Sequence, residues 1–193
     1  MKTIFVLFLS GMLLCVLEPL QAQVRKFDST LINGKVGYRV STNNKNIIDN
    51  EVQVKLIGFD KSSHGFDFFI RGKVVKAELE DLNNDGFTDL LIYVYSGKDG
   101  EFGNVYAFAS EENKTVSAFS LPDVMLDGKL KTGYKGHDEF SLMEGTLMQK
   151  FPLYKPGDEA DKPTGGSRVV QYQAAKGEDG RLKFKVLRSY DVK

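Results

Sequence analysis

Thiols are almost missing from this chain: Cys15 is the only cysteine in 193 residues, and it falls inside a segment that reads as a removable leader. What remains has no disulfide, no thiolate zinc site and no cysteine nucleophile. Tryptophan is absent, and the two histidines, His64 and His137, are too few for an imidazole-rich metal centre. Neither charge sign dominates, with 26 basic and 26 acidic residues. That balance leaves no electrostatic footprint for nucleic acid or an anionic membrane as a partner. There is no G-x-S-x-G elbow and no H-E-x-x-H pair, so the common hydrolase signatures are missing too.

A single long apolar run is present, Ile4 to Leu17, preceded by Lys2 and followed by Leu20-Gln21-Ala22. A short positive start, an apolar stretch and a small-residue exit are the parts of an export signal, and cleavage is expected after Ala22. Leu14 is not the small residue a lipid-attachment site needs before Cys15, so the cysteine is expected to leave with the signal. The expected organisation is a signal peptide over residues 1–22 and a single β domain over 23–193, periplasmic or secreted. Removal takes away Lys2 and Glu18, which leaves the charges balanced.

Beyond the leader, apolar and polar residues alternate in segment after segment, roughly ten in all. In Lys73 to Glu80, Val75, Ala77 and Leu79 share one side and Lys76, Glu78 and Glu80 the other. Leu182, Phe184 and Val186 stand opposite Lys183 and Lys185, and Val36, Tyr38 and Val40 repeat the pattern near the start. Between them lie turn signals: Asn33-Gly34, Asn43-Asn44, Asp85-Gly86, Asp99-Gly100, Asp127-Gly128, Pro156-Gly157, Gly165-Gly166 and Asp179-Gly180. Leu90 to Tyr95 is apolar on both faces and predicts a central strand between layers; Pro152 predicts an edge or a bulge. No helical period is visible. The expected fold class is all-β, an antiparallel β-sandwich of two layers or a flattened barrel, and a propeller is set aside for want of an internal period.

Two candidate sites sit at the two ends of that central strand. Asp81, Asn83, Asp85 and Asp89 occupy the first, third, fifth and ninth places of a loop in which Gly86 permits a sharp turn. Oxygen ligands at that spacing suit a structural calcium ion, although Ile92 stands where helix-loop-helix sites place a bidentate glutamate. The competing reading is a hairpin turn in which Asp and Asn bond their own backbone. At the other end, Ser96, Gly97, Lys98, Asp99, Gly100, Glu101, Phe102 and Gly103 form a glycine-rich loop, a place where partner-binding residues concentrate. The competing reading there is a hairpin with Phe102 folded back onto the sheet. In Gly133 to Phe140, GYKGHDEF, His137 stands beside Asp138. Adjacent residues of an extended chain face opposite ways, so a hydrolase using this pair is the weaker hypothesis and no enzyme is expected.

Taken together, Asp81 to Tyr95, the glycine loop, GYKGHDEF, Phe151-Pro152-Leu153-Tyr154, and Pro163-Thr164-Gly165-Gly166 with Arg168 resemble the periplasmic inhibitors of invertebrate-type lysozyme. The likeness covers most of the mature chain and is firmest from Lys73 to Tyr172. It implies an antiparallel β fold, often a homodimer, that inserts a Ser-Gly-x-Tyr loop into a lysozyme's substrate cleft. Here Asp99, Gly100, Glu101 and Phe102 hold those places, so serine and tyrosine are both changed; the register starting at Ser96-Gly97 ends at Asp99, also without tyrosine. Asp99 and Glu101 would repel the carboxyl pair of such a cleft, whereas Phe102 could fill an apolar subsite and Lys98 pair with a carboxylate. The expectation is a binding protein for a lysozyme or another cell-wall hydrolase. The alternative is a calcium-stabilised envelope module for adhesion or assembly.

Overall fold

The computed structural model describes residues 26–193, so the expected signal peptide over 1–22 and Cys15 lie outside the described residues. Among the described residues, twelve strands form three consecutive antiparallel meanders of four strands each. The first sheet contains β1 (Phe27–Asn33), β2 (Val36–Thr42), β3 (Asn50–Ile57) and β4 (Phe66–Ile70) in that order. The second contains β5 (Lys73–Glu80), β6 (Asp89–Ser96), β7 (Phe102–Glu111) and β8 (Thr115–Ser120). The third contains β9 (Glu139–Met143), β10 (Thr146–Pro152), β11 (Ser167–Lys176) and β12 (Leu182–Val192). The only helical turn among the described residues is a 3-10 turn at Val124–Leu126, capped by the Asp123 side chain.

Alternation places each strand's apolar face, and β6 explains why the sheets stack. Leu90, Ile92 and Val94 pack with Tyr38, Val40, Val52, Val54 and Ile70 of the first sheet. Leu91 and Tyr93, one residue out of phase, pack with Leu147, Phe151, Val170, Tyr172 and Phe184 of the third. Every residue from Asp89 to Val94 is buried, as the doubly apolar sequence predicts for a central strand. The sandwich therefore has three layers where the sequence suggested two, with the second sheet in the middle.

Joints between layers use polar side chains. Asn44, in a left-handed conformation at φ 48° and buried, donates to Val74 O at 2.8 Å and accepts from Val74 N at 3.0 Å. Asn50 donates to Gly72 O at 2.6 Å beside it. These bonds lock the β2–β3 loop onto the start of the second sheet.

Three local readings change. The register of β5 against β6 skips at Val75, so this residue bulges outward and is 54% exposed, while Ala77 and Leu79 still pack inward. A second skip, at Leu187 between Arg188 and Val186, turns Val186 and Leu187 toward solvent. Pro152 lies on neither an edge strand nor a bulge: it ends β10, opposite Ser167, beyond the last β9 partner at Lys150. A residue lacking an N–H costs nothing where no neighbour would accept one.

Candidate functional site

The acidic turn joins β5 to β6. Asp81 accepts from Asp85 N at 3.0 Å and Gly86 N at 2.8 Å; Asn83 accepts from Asp85 N at 3.2 Å and donates to Asp85 at 2.9 Å; Asp85 accepts from Phe87 N at 2.9 Å. Asn84 and Gly86 both have positive φ, at 58° and 85°. The turn brings Asp81, Asn83 and Asp85 together as a self-bonded Asx turn. Asp89 is not turned outward with them: it is fully buried and accepts from Leu82 N at 2.9 Å and Ser110 N at 2.8 Å. Burial pushes its pKa up to about 7, and the nearby Asp85 and Asp81 charges add to the rise. Among the described residues no group of three or more His, Cys, Asp or Glu side chains is arranged to hold a metal ion. A cation here would have to share oxygens already taken by backbone N–H groups.

At the opposite end of β6 the glycine loop closes a hairpin in which Ser96 pairs with Phe102. Gly97 and Gly100 take φ of 88° and 72°, a region where a side chain would be strained. Glu101 turns back over the loop and accepts from Asp99 N at 2.9 Å. Its carboxyl is held below its usual range by the N–H groups of Glu101 and Asp99. Lys98 and Asp99 are exposed, and Phe102 is 41% exposed with its ring centroid 6.3 Å from that of Tyr134. Phe102 thus rests one edge on the molecule and keeps the other in solvent, between the two readings of the sequence.

The GYKGHDEF segment proves to be the support under this loop. His137 N and Glu101 O are hydrogen-bonded, and a Cβ on Gly136 would lie 2.5 Å from Glu101 O. Asp138 is only 4% exposed and accepts from Gly103 N at 2.8 Å, Tyr134 Oη at 2.7 Å and Gln149 Nε2 at 2.7 Å. Tyr172 Oη donates to Gln149 at 2.8 Å, and Tyr95 Oη to Asp138 O at 2.9 Å. Burial raises the Asp138 pKa, and the three donors oppose the rise. One carboxylate therefore ties the second and third sheets together at the base of the loop. No sequence family model, curated protein or solved structure matches the chain.

His137, at φ 63°, is exposed with its ring 6.3 Å from that of Tyr154, while Asp138 points inside. The two face opposite ways, but through the left-handed backbone at His137 rather than the extended chain assumed from the sequence. His64 is an exposed loop residue. Sequence reasoning did not find the network partners Tyr95, Tyr134, Gln149 and Tyr172, because they come from four separate segments that only the stacking of sheets brings together.

Beside the loop lies a cleft of about 330 Å³ between the start of β7, the Leu121–Met125 connector, Tyr134 and Gln149. Its outer lip carries Met125, 54% exposed, next to Leu126, 86% exposed. Loop and lip border the same cleft.

Proposed function

We propose that the protein is an exported, non-enzymatic binding protein that occupies the substrate cleft of a lysozyme, or of another cell-wall hydrolase, with its Ser96 to Gly103 loop. The observation that carries this reading is a preorganised loop on a doubly buried strand. Gly97 and Gly100 shape it, Glu101 closes it from within, and Asp138 anchors its base, while Lys98, Asp99 and Phe102 remain exposed. Preorganisation lowers the entropic cost of association, which suits insertion into a cleft. The inward turn of Glu101 also reduces the repulsion that a cleft carboxyl pair would exert, since its charge is engaged by loop N–H groups. Calcium belongs to the same proposal as a stabiliser of the Asp81 to Asp89 turn, remote from the contact surface.

The test is lysis of bacterial cells by a panel of lysozymes of different types, with and without the purified mature protein. Inhibition of at least one type is expected, and Phe102→Ala should raise the inhibitory concentration about tenfold, the size of a moderate hot spot, at unchanged melting temperature. Inactivity against the whole panel would overturn the proposal.

A further inference from the structure

The cleft beside the loop has a one-sided chemistry. No Lys, Arg or His lines it, and its one carboxylate is Asp123. One Asp123 oxygen accepts from Met125 N at 2.8 Å; the other accepts no hydrogen bond among the described residues. Behind Tyr134 and Gln149 sits the buried Asp138 carboxylate, held by neutral donors and by no salt bridge. The charges of Asp138 and Asp123 both push the Tyr134 hydroxyl pKa upward, after burial itself, so negative potential reaches this wall from two directions. Phe102 and Tyr134 supply aromatic rings, and Pro122, Val124 and Met125 an apolar side.

We propose that this cleft is a receptor for an arginine side chain projecting from a protein partner. Asp123 is the counter-charge, the half-exposed Phe102 ring, tilted 54° against Tyr134, offers its π face to the guanidinium with Tyr134 closing the wall behind it, and the Val124–Met125 side packs against its methylene stem. Each requirement follows from the occupant's chemistry. A planar, weakly hydrated cation is attracted to ring faces and pairs with a carboxylate, and a long aliphatic stem needs apolar walls. An anion has no donor cation here, and a divalent metal would need several more oxygen ligands than one free carboxylate oxygen. Ser96 and Phe102 belong both to the loop and to the cleft lining. A partner engaged by the loop would therefore present the arginine beside its own cleft. The inference rests on reading the Ser96 to Gly103 loop as the contact surface, and it adds a specificity: partners with a basic rim next to the cleft.

The test uses 15N-labelled mature protein titrated with N-acetyl-arginine amide, with N-acetyl-citrulline amide as the neutral isostere. Saturable shifts are expected at the Gly103 amide and the Asn104 backbone and side-chain amides with arginine and not with citrulline. Asp123→Asn should weaken the arginine response about fivefold, as removal of one partly exposed charge pair does. The asparagine retains a side-chain oxygen for the Met125 N–H, so the 3-10 turn keeps its cap. Absent shifts, equal shifts with citrulline, or an undiminished response in the variant would overturn the inference. Because the titration contains no lysozyme, arginine binding without inhibition defeats only the proposed function, and inhibition without an arginine response defeats only the cleft.

Discussion

Asp89 shows what a single burial decision does to a residue chosen for its side-chain oxygens. Spacing places it in the acidic turn, yet its position as the first residue of a strand buried on both faces directs it inward, where Leu82 and Ser110 N–H groups hold it. The folded protein keeps its proton up to about pH 7, whereas the unfolded chain releases it near the ordinary value of 3.8. Between those limits the native state binds more protons, so the Asp89 contribution to stability declines as pH rises from about 4 to about 7 and then levels. The full span is on the order of a few kcal/mol. Asp138, also raised by burial, acts in the same direction. Urea unfolding at intervals from pH 4 to pH 8 should therefore give Asp89→Asn a shallower decline than the parent; parallel declines would refute the assignment. The motif's other members stay where their local chemistry puts them, because Asx turns depend on neighbours two to five residues away.

Turns and edges carry the lessons at the level of elements. Turn signals containing Asn-Gly or Asp-Gly were legible, and Asn33-Gly34 and Asp179-Gly180 do reverse the chain at hairpins. Two hairpins passed unnoticed: Glu112-Asn113, at φ 54° and 57°, and Glu144-Gly145, at φ 48° and 71°. Glutamate is a poor advertisement for the left-handed region, and only the pairing of flanking strands forces it there. The Asp81 to Asp89 turn carries the calcium prediction. A cation bound only by the native state raises stability, so added calcium should lift the melting temperature above that in chelator, and Asp81→Asn should abolish the difference. Identical melting in both conditions would leave the turn to its hydrogen bonds alone. At the outer edge of the third sheet, β12 exposes Val186, Leu187, Tyr190 and Val192. The skip at Leu187 and the charges of Lys183, Lys185 and Arg188 interrupt this edge, devices that oppose uncontrolled strand addition.

For the whole molecule, β6 is the member on which both cores close. Leu91 faces the third sheet and Ile92 the first, and both are fully buried. Leu91→Ala and Ile92→Ala should each cost about 2–5 kcal/mol, the range for large-to-small changes in a packed interior. Each should lower one shared unfolding transition, since the middle sheet is common to both cores. A variant in which the two cores melt separately would contradict this. Periodicity in the sequence was enough to determine that the chain folds as antiparallel β structure and that Leu90 to Tyr95 is central. These depend on residue spacing of one or two and on local dihedral preference, which the chain carries wherever it is placed. Three layers instead of two, the bulges at Val75 and Leu187, the inward Asp89, and the assembly of Asp138 with Tyr134, Gln149 and Gly103 were decided only in the tertiary structure. Each depends on which face of one sheet meets which face of another, a choice between distant segments made by close packing and by the need to satisfy every buried polar group.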